Sequence, residues 1–544
     1  MMNARIQIIE LLDTGIMSTH VHKYIRDPIH IYIPFTRLEE QVIDSKIFQR
    51  LRRIHQLQVA YTVYPGATHS RFLHSVGVMH LAGKFALALL RTSHAFAGQK
   101  APCASAGDTS YSVPLFDEIG LEEERDIVSI LIAVRLGGLL HDVGHMPYSH
   151  AFDEAIISRS KKIRSLGIQS HEDTSYFIYK NFLRDNMIRF MERHYDDNLV
   201  DADIVIECLD HIMKPRRLLG RPKRIAYEVM RHVVKEFVYP ADIIDFCLRD
   251  SYFTGAVEYG RIDVDRLFVF SMIVEKNKID TKGEKKLYIG LLRKAIGALR
   301  AFLYSRLWLF NNVYFHKFSR LMDYVIKELL VSIYDKQIID FEGIYEGIVR
   351  GEEEILDLLE KMDDNYILFK ALESNDGKLR ELAKRILYRK PYLREIYSQE
   401  ITILQSDIEH IGDVDNFDVV IRNLKETIGE ILEIDTNDIF IDSPPIKFFP
   451  LNPYLPYSMF PLIDVERHKI VSVSEANAWV ITSARITDFA VFRVLIPRHV
   501  LERIGMPDDK IRRLISSIIT KDFEKTIKQA FIAKYSRFKY EVTM

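Results

Sequence analysis

Histidines and aspartates crowd into a few stretches of this sequence. ATHSRFLHSVGVMH holds His69, Arg71, His74 and His80, and LLHDVGHMPYSHAFD holds His141, Asp142, His145, His150 and Asp153. ADIIDFCLRD holds Asp242, Asp245 and Asp250, and the short run SHED adds His171 and Glu172. Imidazole and carboxylate together suit a divalent transition metal or magnesium. Two His and two Asp around one ion leave positions open for water and a phosphate oxygen. Such an ion polarises phosphorus and acidifies water. Histidines beside it would serve as proton donors or phosphate contacts. Arg71 carries the planar donor fork that suits a phosphate.

Helices must hold these residues. His141 and His145 are four apart and share a helix face. They end the run RDIVSILIAVRLGGLLHDV, apolar almost all round, which predicts a buried core helix over 125–143. Charge there is costly unless it is paired or coordinates metal. Gly137, Gly138 and Gly144 permit close backbone approach. A long apolar-periodic helix is predicted from Arg71 to Arg91.

Upstream, KYIRDPIHIYIP alternates Ile29, Ile31 and Ile33 and predicts a short strand. Thr36 with Glu39 has capping-box spacing and opens a helix. Asp44 is expected to cap the next, SKIFQRLRRIHQL. TVYPGATHS reads as a loop, and 95–118, rich in Ala, Gly, Ser and Pro, as a surface insertion. Further helical patterns run through 172–192, 226–236, 241–251, 288–334 and 352–361. Beyond about residue 392, short strand-like runs (DIFIDS, HKIVSV, FAVFRVLIP) lie between helical segments. The expected fold is mainly α. A helical core over 23–392 follows an N-terminal extension over 1–22, and a smaller α+β lobe occupies 393–544.

Lys+Arg 74 against Asp+Glu 76 gives a net charge of -2, so no bulk charge draws the chain to nucleic acid or acidic membrane. The basic run KPRRLLGRPKR at 214–224 lacks interleaved aromatics and reads as a solvated loop. Three cysteines form no zinc motif or disulfide framework and fit a reducing compartment. The opening segment interrupts its apolar residues with Glu10 and Asp13, unlike a secretory leader. No uninterrupted apolar run is long enough to predict a membrane span. A cytoplasmic protein is expected.

The signature H…HD…D resembles the HD-domain phosphohydrolase superfamily. The longer string DPIHIYIPFTRLEEQVIDSKIFQRLRRIHQLQVAYTVYPGATHSRFLHSVGVMHLAG is similar to the deoxynucleoside triphosphate triphosphohydrolases. The nearest branch is the sterile-alpha-motif-and-HD-domain type, although no sterile-alpha-motif domain precedes the match. The likeness is strong over about 23–320, which makes the helical core an HD-domain core.

The resemblance implies metal ligands His74, His141, Asp142 and Asp242, holding a divalent ion such as Mg, Mn, Fe, Zn or Ni. It places His145 and His150 along the phosphates, and makes His171, oriented by Glu172, the general acid toward the leaving 5′-oxygen. Arg71 and Arg306 would hold phosphates, Gln56 and Asp250 would read the sugar 3′-hydroxyl, and Tyr314 would pack near sugar and base. Two positions depart from the branch. Ile243 stands where it has a phosphate-binding Lys, and Phe246 where it has a Tyr that helps exclude ribose.

The implied reaction is metal-dependent hydrolysis of a dNTP to deoxynucleoside and inorganic triphosphate. The resemblance also implies GTP or dGTP as effector and a homo-oligomer, dimer or tetramer. Guanine-reading positions fall on Asp44, Gln49 and Arg52, and effector phosphate contacts on Lys23, Arg266, Arg380 and Lys384. Two alternatives stay open: an HD phosphohydrolase for another nucleotide or phosphoester, and a nucleotide- or nucleic-acid-binding regulator with little turnover.

Overall fold

The structure is a computed structural model that describes residues 21–97, 111–196, 198–215, 222–276, 287–404, 417–447, 462–464, 469–471, 486–519, 523 and 525–530. The N-terminal extension up to residue 20, most of the 95–118 insertion and residues 216–221 of the basic run lie outside the described residues.

The alternating segment near the N-terminus forms a hairpin rather than a single strand. β1 (Lys23–Asp27) pairs antiparallel with β2 (Ile31–Phe35), Arg26 opposite Tyr32. Asp27 closes the turn, because its Oδ1 accepts the backbone N–H groups of Ile29 and His30, each at 2.9 Å. The capping box forms at α1 (Arg37–Ile43): Thr36 Oγ1 accepts from the Glu39 N–H, and the Glu39 carboxylate accepts from the Thr36 N–H. At α2 (Lys46–Gln49) the expected cap is corrected. Ser45 Oγ accepts the Phe48 N–H, while Asp44 closes α1 at its C-terminal end. A cap must reach the second or third N–H of its helix, and Ser45 is the residue in register. The chain then tightens into a 3-10 turn over Arg50–Arg53, so the predicted helix through Leu57 stops short.

Contacts divide the chain into two compact units. The first comprises 1–306, 326–383 and 450–476. Its centre is α3 (Arg71–Phe96) packed on α4 (Glu124–Leu140), whose residues from Asp126 to Leu140 are all buried. α3 is long and apolar enough to cross a membrane by length and composition alone, but 72% of its most apolar window is buried inside the protein. Around the pair lie α5 (His171–Ile178), α6 (Arg184–His194), α7 (Ala202–Met213), α8 (Pro222–Val234) and α9 (Ala241–Thr254), with α7 on α4 and α9 on α3. A five-stranded sheet flanks them in the order β10 (Lys469–Val471), β9 (Leu462–Asp464), β5 (Leu287–Leu292), β4 (Ser271–Lys276), β3 (Tyr111–Ser112). β5 lies in the segment predicted as helix from 288. Its apolar residues pair with β4 instead, and helix α10 begins only at Ile296, running to Leu309.

The second unit comprises 307–325, 384–449 and 477–544. There β11 (Ile486–Pro497) pairs with β6 (Leu393–Leu404), β7 (Phe440–Asp442) and β8 (Pro445–Lys447). Phe492, Val494 and Ile496 alternate along β11 into a core with Leu424, Ile428, Ile511 and Ile515. That period of two is what a half-buried strand requires. The buried Asp442 carboxylate accepts from Arg320 Nη2 at 2.7 Å and from Arg493 Nη1 at 2.9 Å.

Candidate active site

α3, the end of α4 and the start of α9 bring His74, His141 and Asp242 together, with one donor atom from each within 4.8 Å of the others. His141 Nδ1 donates to the Gly138 carbonyl at 2.8 Å, the tautomer that in a neutral ring makes Nε2 the lone-pair nitrogen. That Nε2 is buried, makes no hydrogen bond, and lies 3.3 Å from Asp142 Oδ1 and 3.7 Å from Asp242 Oδ1. His74 Nδ1 donates to Asp245 Oδ2 at 2.9 Å, so its Nε2 faces Asp242 Oδ1 at 3.1 Å. Asp142 Oδ2 lies 3.9 Å from the same His74 nitrogen.

His74, His141 and Asp242 thus each aim one donor atom at a common point with the Asp142 carboxylate beside it, a donor set that fits a divalent cation. Without an ion, protons must fill its role. Burial opposes charge on His74, but Asp242 and Asp245 outweigh it and raise the ring to about 10. Burial also opposes charge on Asp142, yet the positive charge around it, the Arg71 guanidinium included, holds its carboxyl well below the usual range. Arg71 Nη1 bonds Asp142 directly, and its Nε donates to Ser149 Oγ at 2.8 Å.

A second cluster adjoins the first: His145, His150 and His171. His145 is buried and neither ring nitrogen makes a hydrogen bond. Gly144 sets its distance from α5, because a Cβ there would lie 2.2 Å from the Ser175 nitrogen. His150 is the exposed member, its side chain 62% accessible. It follows Tyr148 and Ser149, both with positive φ, at 59° and 50°. Such residues cost about 1–3 kcal/mol each and persist only where their surroundings fix them. Here Asp364 Oδ1 accepts the Tyr148 N–H at 2.7 Å, and Arg71 grips Ser149.

The orienting partner of His171 is corrected. Asp153 Oδ2 accepts from His171 Nδ1 at 2.6 Å, whereas Glu172 points to Lys235 Nζ at 3.3 Å. Consecutive residues on a helix project about 100° apart, so Glu172 cannot face its neighbour's ring. Sequence reasoning gave Asp153 no role; its place three residues after His150 was the available signal.

The remaining expected residues are placed as follows. Asp250 accepts from His69 Nε2 at 2.7 Å, and His69 stacks on Phe253. Gln56 donates its backbone N–H to His69 O at 3.0 Å, while its Oε1 is buried without a hydrogen bond. Phe246 is half-buried on α9, and Arg306 is buried on α10. Tyr314 belongs to the second unit, where its ring meets Phe310 edge-on at 4.9 Å. Gln49 Oε1 accepts from Arg52 Nε at 2.8 Å, and the Arg52 guanidinium lies 3.5 Å above the Phe72 ring; Asp44 is exposed. Lys23 pairs with Glu40, Arg266 donates to Lys294 O at 2.7 Å, Arg380 donates to Ser374 O at 2.7 Å, and Lys384 is exposed.

Residues 71–243 match the HD domain and residues 262–452 the HD associated region. The chain is 30% identical over 413 residues to the deoxynucleoside triphosphate triphosphohydrolase SAMHD1 of Mus musculus, a match covering 72% of this chain and 56% of that one. To SAMHD1 of Homo sapiens it is 29% identical over 381 residues, covering 68% and 54%. The chain therefore spans just over half the length of these relatives. An uncharacterized protein of Methanocaldococcus jannaschii is 26% identical over 436 residues, covering 78% and 69%. Among solved structures, a hypothetical protein from Aquifex aeolicus has the same fold, with a TM-score of 0.58 at 21% identity over 89% of this chain and 98% of that one.

Proposed function

This chain carries an HD domain followed by its associated region, and on that premise we propose that it hydrolyses deoxynucleoside triphosphates to deoxynucleoside and inorganic triphosphate. The observation that carries the reading is the adjacency of the two clusters: His74, His141 and Asp242 around one point with Asp142 beside them, and a histidine row ending in the Asp153–His171 pair. A divalent ion bound by His74, His141, Asp142 and Asp242 supplies Lewis-acid polarisation of the phosphoryl group.

The chain's own residues do the rest. Water attacks the α-phosphorus and the bond from phosphorus to the 5′-oxygen breaks. His171 gives its proton to that oxygen, the deoxynucleoside leaves as an alcohol, and the attacking oxygen stays on the triphosphate while the proton it sheds passes to solvent. Asp153 favours the protonated His171 ring, since it outweighs the effect of burial and raises the ring's pKa. Arg71, His145 and His150 hold phosphate oxygens. Fixed charge aimed at the phosphoryl group is the main source of catalysis in such reactions. Gln56, Phe246, Asp250 and Arg306 complete the substrate site in this reading.

Guanine nucleotides act as effectors at Asp44, Gln49 and Arg52, with Lys23, Arg266 and Arg380 on their phosphates, in a homo-oligomer. Phe246 favours a second substrate class beside the first, because a phenyl ring offers no hydroxyl to contest a ribose 2′-OH. Incubation of Mn2+-loaded protein with each dNTP and NTP tests both. Turnover of dNTPs is expected, lost in His141→Ala; no turnover of any nucleotide would refute the proposal.

A further inference from the structure

Asp245 lies one helical turn after Asp242 and is fully buried. Its two oxygens receive four N–H groups. Oδ2 accepts from His74 Nδ1 at 2.9 Å and Arg249 Nε at 2.8 Å; Oδ1 accepts from His30 Nε2 at 2.7 Å and Arg249 Nη2 at 3.0 Å. A carboxylate saturated in this way has no lone pair left for a metal, so it stands behind the ligands rather than among them. Arg249 reaches onward to Asp27, with Nη1 2.8 Å from Oδ2. Asp27 is the residue that closes the β1–β2 turn and fixes the His30 backbone. A continuous chain of charged hydrogen bonds therefore runs from the hairpin turn through Asp27, Arg249 and Asp245 to His74.

We propose that Asp245 is a positioning residue for the metal centre, and that the β1–β2 hairpin, through Asp27 and His30, locks it in place. The inference rests on the proposed reading of His74 as a ligand. The two imidazoles of the centre are backed differently. His141 leans on a neutral carbonyl, Gly138 O, whereas His74 leans on a full negative charge. A carboxylate behind an imidazole fixes the tautomer and makes the other nitrogen a stronger donor. The fold leaves room for this arrangement at one place on α3. A Cβ at Gly77 would lie 2.0 Å from Asp245 Oδ1 and 2.3 Å from Arg249 Nη2, so only glycine lets the pair slide against the helix beneath His74. His30 enters over the same helix, its ring 5.2 Å from that of His80. The hairpin is thus an outer brace of the metal centre, 215 residues before Asp245 in sequence.

Metal affinity is the readout, independent of turnover. The unaltered chain, Asp245→Asn and His30→Gln are stripped with chelator and titrated with Mn2+, following loss of the free-ion paramagnetic signal, with melting temperature recorded in parallel. Asp245→Asn is expected to weaken Mn2+ binding about 10- to 100-fold, and His30→Gln by a smaller factor. In 15N-histidine-labelled metal-free protein, Asp245→Asn should move the His74 ring resonances and leave those of His141 in place, which a general loosening of the fold would not do. Unchanged Mn2+ affinity in Asp245→Asn overturns the proposal. If that variant does not fold because Arg249 is left buried without its partner, His30→Gln decides, and unchanged affinity there overturns it too. A protein that binds Mn2+ through this brace but cleaves no nucleotide refutes the proposed function alone. An unaltered protein that takes up no Mn2+ refutes both.

Discussion

The imidazole of His145 stacks on that of His171, centroids 3.7 Å apart and planes 15° from parallel. Two cationic rings so close would repel, and their surroundings separate them. Burial, with Arg71 and His171 adding to it, holds His145 well below its ordinary value and therefore neutral. Burial works against charge on His171 too, but Asp153 outweighs it and raises that ring above 6.5. The two neighbours are driven apart in opposite directions, as the proposed roles of His145 at phosphate and His171 as acid require.

His171→Ala should therefore lower kcat by about 10²–10⁴-fold while metal stoichiometry stays intact. Metal analysis beside steady-state rates checks it, and loss of metal would move His171 into the coordination shell.

Asp153→Asn tests the same pair through pH. A ring whose pKa rises on folding adds stability that is complete below its unfolded value near 6.5 and is lost as pH climbs through the folded value. Removing the carboxylate lowers the folded value. The alkaline fall of kcat should then begin at lower pH, and the melting temperature should drop more in mildly acidic buffer than in alkaline buffer. An alkaline limb at the same pH in both proteins would contradict the pairing.

Asp142→Asn keeps the size of the side chain but removes the charge that meets Arg71 and, in the proposed reading, the metal. Bound metal and turnover should both fall, by more than the roughly 10–100-fold that changes behind the ligands cost. Full metal content in the variant would remove Asp142 from the ligand set.

Gly77→Ala should destabilise the protein by about 1–3 kcal/mol, the usual cost of forcing atoms into a filled interior, because the new methyl meets Asp245 and Arg249. Thermal or denaturant unfolding measures it. An unchanged midpoint would mean that α9 moves away freely.

Arg52→Ala should abolish activation by GTP or dGTP and spare metal binding. Arg52 is already held by Gln49 and lies over Phe72, so its donor edge is set before any ligand arrives. Rate and mass measured with and without guanine nucleotide decide this; indifference of both in the unaltered protein would end the effector proposal.

Features set by neighbours in sequence were legible before the structure. The Thr36–Glu39 box needs only four consecutive residues, and the burial of α4 follows from its almost wholly apolar run. Features set by distant partners were not. LYIGLL carries helix and strand patterns at once, and its pairing with β4 made it β5. Glu172 sits beside His171 in sequence, yet the residue that touches the ring is 18 positions upstream. His30 gave no sign of a role because its partner is Asp245, just past the far end of the HD domain match. The metal-type residues stood out by density alone; their arrangement required three helices to meet.

Product analysis tests the central claim most directly. Metal-loaded protein is incubated with a single dNTP, and inorganic triphosphate, pyrophosphate and phosphate are separated beside the nucleoside products. Deoxynucleoside and triphosphate are expected in equal amounts from the first time point. Pyrophosphate or monophosphate as the sole inorganic product would contradict attack at the α-phosphorus with release of the 5′-oxygen.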